Sequence, residues 1–483
     1  CKDPIMIVDQ NHYSIVDENR TYHSSEIHRL ARQYQQLIPA HAKVIGVQID
    51  NKADWVAIDI MCLKSNRVLV PIPNFFNSQQ IKYLIDEAGI QTLVTEDESL
   101  LKRYGFIDNR DVIDNNFIGS LPVNSLLKNQ PSLNNVQKIT FTSGSTGFPK
   151  GTCLSAYAQE EVAKDLAQLL NSMRIKKHMS LLPFSILLEN VAGTYTSMLL
   201  GGTNFIFSLK SVGFDGVKFD ESKCIQLIQE HKIESLILLP QLLQQIVNYI
   251  KKYHIILDSL KFIAVGGAKV PVNLIEQGRT LGLPIYEGYG LSECSSVVAV
   301  NSQSSNRVGS VGKILPSRKV RVLDDEIAVY LDEGLRYLKG QSVAPGWYKT
   351  GDLGYIQDEF LYVNGRKKNL VITSVGRNIS PEWPEALLLE DPRVLQAMVT
   401  CIDEPFLSCI LVCEKDLSAD EKNSILSRAN KQLPSYAHIE RCVLITQPFS
   451  YQDGTLTANG RLKRNVIMEK INVNKYKLES ECV

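Results

Sequence analysis

Residues 142–151 read T-S-G-S-T-G-F-P-K-G, a run of small and hydroxyl side chains closed by Lys150 and preceded by an apolar stretch over 139–141. Gly144 and Gly147 lack a Cβ and accept positive φ, so successive backbone N–H groups can turn inward on an anion. Ser143, Ser145 and Thr146 add hydroxyl donors, and Lys150 adds a positive charge. A Walker A loop is excluded, because that motif needs Lys and Ser/Thr directly after its second glycine and here Phe148 and Pro149 intervene. The competing reading is a polar surface turn. A lysine held behind a proline, after a strand-like apolar run, favours a polyphosphate cradle.

Working outward, strand-like and helix-like segments alternate on both sides of this loop, the pattern of layered parallel α/β sheets. Helical periodicity over 24–37, 55–63 and 79–87 is interleaved with strand patterns at 43–49, 68–72 and 91–95. After the loop come helices at 156–170, 222–231, 241–251 and 272–281, and strands at 179–183, 204–207, 235–239 and 261–265. Sites in such sheets gather at the C-terminal ends of strands. From about 309 to 350 the segments become short, Val/Ile-bearing and punctuated by glycine, which predicts a small β-subdomain. A boundary falls near 365–369. Beyond it, a helix from Pro381 with Ser380 as N-cap, strands at 397–402 and 408–414, a helix at 419–432 and a strand at 441–446 predict a compact α+β unit.

The bulk numbers narrow the class of function. At 483 residues the chain exceeds one ordinary core, and 44% hydrophobic with 22% charged residues marks a globular protein. Lys plus Arg equals Asp plus Glu, 52 against 52, so no net field draws in nucleic acid or anionic lipid. The ten cysteines show neither a C-x-x-C pair nor histidines at zinc spacing, and read as reduced thiols of a cytoplasmic protein. No apolar run is long enough to span a bilayer, and the opening C-K-D-P-I-M has no signal-peptide pattern. A chain that opens on Cys1 rather than Met is read as trimmed, so this says nothing of what preceded it.

Three further blocks carry chemistry. Residues 286–293, Y-E-G-Y-G-L-S-E, follow a strand pattern and gather what a nucleotide needs: Tyr289 to stack on a purine, Glu287 to accept from an exocyclic amine, Ser292 for phosphate, and Glu293 for Mg²⁺. Residues 348–352, Y-K-T-G-D, place Asp352 after a turn where it can accept from ribose hydroxyls, with an Asx-turn as the plain alternative. Residues 365–381, G-R-K-K-N-L-V-I-T-S-V-G-R-N-I-S-P, offer Arg366 as a second sugar or phosphate contact.

In this order the four blocks resemble the AMP-forming adenylate-forming superfamily of acyl-CoA synthetases, peptide-synthetase adenylation domains and firefly-type luciferases, most of all a fatty acyl-CoA synthetase. Weaker matches at 20–27, 63–73 and 265–271 extend the resemblance over nearly the whole chain. It implies an α/β fold with a large N-terminal domain of layered sheets plus a small β-barrel (1–366, barrel about 309–350), and a small, mobile α+β C-terminal domain (367–483). It also implies two half-reactions. A carboxylic acid, a fatty acid by this reading, attacks the α-phosphorus of ATP to give acyl-AMP and pyrophosphate, and the thiol of CoA, or of an acyl or peptidyl carrier protein, then displaces AMP.

Carried over by residue, the resemblance assigns the β- and γ-phosphates to Thr142, Ser143, Gly144, Ser145, Thr146, Gly147 and Lys150. Gly267, Ala268, Glu287, Gly288, Tyr289 and Gly290 form the adenine slot, Ser292 touches phosphate, Glu293 binds Mg²⁺, and Asp352 with Arg366 fixes the ribose. Lys368 stands at the hinge, and Gly376 and Arg377 lie in the loop that meets the thiol. The apolar residues Ile186, Leu187 and Val297 are expected to wall an acyl pocket, and the absence of an aspartate at the ammonium-clamping position disfavours an amino acid. In one place the chain departs from the pattern. Where the family ends in P-x-T-x-x-G-K, residues 456–464 read L-T-A-N-G-R-L-K-R, so Arg461 occupies the place of the catalytic lysine, with Lys463 as a register-shifted candidate. Loading of a carrier protein, or a non-catalytic nucleotide- or acyl-binding homologue, are the alternatives.

Overall fold

Strands of near-continuous apolar sequence such as Ser235–Leu238 (SLIL) and Phe262–Val265 (FIAV) are buried on both faces, as the middle of a parallel sheet requires. The computed structural model describes residues 7, 12–113, 115–121, 133–142, 149–214, 219–339, 342–372, 378–401, 406–450, 452–457 and 460–473. One sheet of 13 strands and one of 8 form the bulk of the molecule, with helices packed on them. In the larger sheet Ser14–Val16, Thr203–Ile206, Lys177–Ser180, Ser235–Leu238, Phe262–Val265 and Ile285–Leu291 run parallel in that spatial order. The sheet then turns antiparallel through Ser296–Val300 and Lys313–Ile314 into the hairpin Gly346–Gln357 and Phe360–Arg366, followed by Glu326–Leu331 and Val320–Leu323.

The second sheet carries the hairpin Lys138–Thr142 and Lys150–Leu154, whose register sets Thr142 opposite Lys150 at the mouth of the 142–151 loop. Its first residue is anchored in the core. The Lys138 ammonium donates to Asp59 Oδ2 at 3.0 Å and to the Tyr195 hydroxyl at 2.9 Å, and also contacts Asn190 Oδ1. Asp59 in turn accepts from Tyr195, Asn190 and Gln137. Lys138 and Asp59 are each 1% exposed, and a buried charge pair is tolerated only when its remaining hydrogen-bonding capacity is filled, as it is here. The cluster ties the helix Ala53–Lys64, the second sheet and the π-helical turn Glu189–Tyr195 together beneath the loop.

Residues from 371 onward pack into two hydrophobic clusters that contain no residue from the sheets above. Here Val394–Thr400, Leu407–Cys413 and Ile439–Ile445 form a three-stranded sheet, flanked by the helix Ala419–Asn430, whose cap Ser418 accepts from Glu421 N. Polar contacts join the two parts: Arg461 to the Gly267 carbonyl, Gln241 to the Gly460 carbonyl, and Asn273 to the Glu390 carbonyl.

Two sequence expectations are corrected. The strand expected at 179–183 lies at Lys177–Ser180, because Leu182 and Phe184 belong to a buried loop whose backbone is held by the Asn51 side chain. The helix expected to be capped by Ser380 begins at Glu382 with Pro381 at the cap, and Ser380 instead donates to the Asn364 carbonyl.

Candidate active site

At the C-terminal ends of the parallel strands a cavity of about 220 Å³ opens between the two parts of the chain. Gly267, Ala268, Glu287, Gly288, Tyr289, Gly290, Asp352 and Arg366 line one side, and Glu382, Leu389 and Arg461 are among those on the other. Gly267 sits at φ 87° in the loop after Phe262–Val265, a conformation glycine takes without strain. Gly290 lies at a β-bulge where a Cβ would collide with the Ser296 carbonyl, so no other residue fits. Asp352 and Arg366 face each other across the hairpin. Arg366 Nε donates to Asp352 Oδ1 at 2.7 Å and the Tyr289 hydroxyl donates to Oδ2 at 2.7 Å, which leaves each carboxylate oxygen a further lone pair for a ligand hydroxyl. Burial raises the Glu287 carboxyl to about 7, against the pull of Lys269.

A second cavity of about 310 Å³ adjoins it and shares Gly267, Gly288, Tyr289, Gly290, Arg366 and Arg461 as walls. Its near end is polar: Lys150, Ser292, Glu293, Tyr337, Lys368 and Thr457. The rest is mainly apolar and includes Ile186, Leu187, Leu236, Ile237, Phe262 and Val297. The Tyr337 hydroxyl donates to Glu293 Oε1 at 3.4 Å, and Lys150 Nζ lies 5.9 Å from the Tyr337 ring centre.

Positive charge converges where the cavities meet. Burial and the neighbouring Arg366 lower the Arg461 pKa. Burial, Arg366 and Arg461, with Lys150 beyond, lower that of Lys368. Cations that depress one another in a buried cleft are relieved by an anion, and that is the electrostatic signature of a phosphate site.

The structure thus brings Lys150, Gly267, Ala268, Glu287, Gly288, Tyr289, Gly290, Ser292, Glu293, Asp352, Arg366, Lys368, Arg461, Ile186, Leu187 and Val297 to two contiguous cavities. Lys463 lines neither. Ser143, Gly144, Ser145, Thr146, Gly147, Gly376 and Arg377 lie outside the described residues, and Thr142 is placed only as the end of its strand. Among the described residues no group of three His, Cys, Asp or Glu side chains is arranged around a metal position.

Sequence reasoning missed Tyr337 and Ser296. Tyr337 arrives on the short strand Arg336–Tyr337, paired with Lys150–Leu154 of the other sheet, which no local pattern announces. Ser296 lines the second cavity at φ 103° with its hydroxyl buried and without a hydrogen-bond partner. The double serine after Glu293 was the available signal.

The layered α/β fold sets Asp352, Arg366 and the strand-end glycines around one cavity, and beside it lies a second, walled in part by Ile186, Leu187 and Val297, so two ligand spaces meet at a shared wall. The chain belongs to the AMP-binding enzyme family, whose model matches residues 10–348. It is 24% identical over 413 residues to the 2-succinylbenzoate–CoA ligase of Bacillus pumilus, covering 79% of each chain. It is 30% identical over 239 residues to the long-chain-fatty-acid–CoA ligase FadD15 of Mycobacterium bovis, covering 42% of this chain and 40% of that one. In fold it is similar to the anthranilate CoA ligase AuaEII solved with anthranoyl-AMP, with a TM-score of 0.81 at 16% identity over 98% of both chains. Among the described residues no helix is long and apolar enough to cross a membrane.

Proposed function

We propose that this chain is an AMP-forming acid–thiol ligase: the carboxylate of an elongated, largely apolar acid of fatty-acid type attacks the α-phosphorus of ATP, pyrophosphate leaves, and the thiol of CoA displaces AMP from the acyl-adenylate. The observation that carries the reading is the shared wall of the two cavities, where Arg366 and Arg461 stand between the two spaces with Lys368 and Lys150 beside them on the second. An acid lying in the apolar cavity reaches the phosphate chain at that point. There the protein works by positioning and by neutralising charge at phosphorus, with little covalent chemistry of its own.

In this assignment Gly267, Ala268, Glu287, Gly288, Tyr289 and Gly290 bound the adenine, Asp352 and Arg366 hold the ribose, Thr142 to Lys150 hold the outer phosphates, and Ser292 contacts phosphate. Arg461, bonded through Nε to the Gly267 carbonyl at 2.7 Å, keeps its two terminal nitrogens for the substrate carboxylate and α-phosphate. Glu293 fits the one-carboxylate holding that Mg²⁺ favours when phosphates complete its shell, and the ion supplies charge neutralisation. The separate hydrophobic clusters support a boundary at 366/367, with residues 1–366 and 367–483 as domains that turn about Lys368 and bring Gly376 and Arg377 to the thiol.

Mg-ATP, a panel of aliphatic and aryl acids, and CoA or a pantetheinylated carrier protein test the reading. Acid-dependent pyrophosphate release followed by a CoA thioester is expected. ATP binding with no pyrophosphate from any acid would overturn it, and a thioester formed only on the carrier would change the acceptor.

A further inference from the structure

The apolar cavity ends on polar groups that the reading above does not use. It follows the strands Ser235–Leu238 and Phe262–Val265 from Leu239 and Gly267, at their C-terminal ends, to Ser235 and Phe262 at their starts. Four strand residues at about 3.3 Å each put that floor about 13 Å below the charged mouth. In the sheet register Ser235 pairs with Phe262 on one side and with His178 on the other, so the three side chains share one face and one level. Behind His178 and Ser235 the free space shrinks to about 10 Å³, so the cavity stops at this row.

His178 is 2.9 Å from Ser235 Oγ through Nδ1 and 2.9 Å from Glu189 Oε1 through Nε2. The second Glu189 oxygen accepts from Leu182 N at 3.1 Å. In the tautomer that donates from Nε2 to the Glu189 carboxylate, Nδ1 is the acceptor for the Ser235 hydroxyl hydrogen. In that tautomer every hydrogen of the chain points toward Glu189, and Ser235 Oγ offers the cavity a lone pair. The arrangement depends on Gly193 in the π-helical turn Glu189–Tyr195, where a Cβ would collide with both Glu189 Oε1 and His178 Nε2. Ser235, His178 and Glu189 are 2%, 6% and 0% exposed, so the group is a buried floor.

We propose that the acid accepted by this chain carries a hydroxyl at the end remote from its carboxylate, and that Ser235, oriented by His178 and Glu189, accepts a hydrogen bond from it. The inference rests on the acid-activation reading. Its test compares straight-chain acids of equal length ending in a methyl, a hydroxyl or a second carboxyl, by pyrophosphate release from the full chain with Mg-ATP. At the matching length, kcat/KM for the hydroxy acid exceeds that for the methyl acid about tenfold, the worth of one neutral hydrogen bond. Ser235→Ala brings the ratio near one, and Ser235→Thr, which keeps the hydroxyl, retains it. A ratio of one or less at every length, a ratio that survives Ser235→Ala, or a preference for the dicarboxylic acid overturns the proposal. Calorimetry with the same acids as acyl-sulfamoyl adenosines separates the two readings. Tighter binding of the hydroxyacyl analogue without any pyrophosphate release upholds the floor assignment and overturns activation, whereas no difference in binding overturns the floor assignment.

Discussion

The cavity proposed for the nucleotide takes its walls from both parts of the chain, whereas among the described residues the one proposed for the acid is lined mostly by the N-terminal part, with only Lys368, Thr457 and Arg461 reaching it from beyond residue 366. The first is assembled by docking across polar contacts. The second is carved into a packed core, where shape is set by side chains that cannot move without repacking their neighbours. On the proposed reading, chemistry is thereby made sensitive to the position of the C-terminal part, and acid selection to local side-chain volume.

The largest effect expected on the nucleotide side comes from Arg461→Ala, which lowers kcat for acid-dependent pyrophosphate release by about 10²- to 10³-fold, the usual cost of one preorganised charge-stabilising donor. Arg461→Lys recovers part of that rate, because the charge returns without the two-pronged geometry. If Arg461→Ala adenylates normally, the docked arrangement is not the one that does the chemistry, and the contrast between the cavities fails.

Next in size is a pH effect on the facing side of the same cavity. With its folded-state pKa raised to about 7, Glu287 keeps a proton that the unfolded chain releases at the ordinary carboxylate pKa. Its contribution to stability is therefore fully present at low pH and is lost as pH rises through that window, by about 3 kcal/mol when complete. Denaturation midpoints of the N-terminal transition between pH 4.5 and 8 check this, and Glu287→Gln is expected to remove the slope.

The smallest effect belongs to the acyl side. Val297→Phe narrows the cavity and lowers kcat/KM for the longest accepted acid about tenfold, in the range that hydrophobic pockets discriminate, while binding of ATP alone is unchanged. A parallel loss of ATP affinity would show that the two cavities are not separable.

Much of this was legible locally. The helix Ala156–Ser172 and the strand Ser235–Leu238 follow from period and apolar run, and the described parts of the four motif blocks lie on strands and the turns that follow them. The shift of Lys177–Ser180 was not legible, because the loop of apolar residues that follows it is held by a side chain 131 residues away from Leu182, that of Asn51. His178, Glu189 and Ser235 escaped notice individually. A glutamate inside the apolar run 186–191 was the clue, since a buried carboxylate demands a partner.

The sequence by itself determined most of the order of strands, loops and helices and singled out the four motif blocks, because backbone preferences and short motifs act over a few residues. Only the tertiary structure placed Arg461, 194 residues along the chain from Gly267, against that residue's carbonyl, and left Lys463 outside both cavities. It alone set His178 beside Ser235 and beneath the apolar cavity. Both outcomes depend on strand register and on docking between separate cores, and no local stretch of chain encodes either.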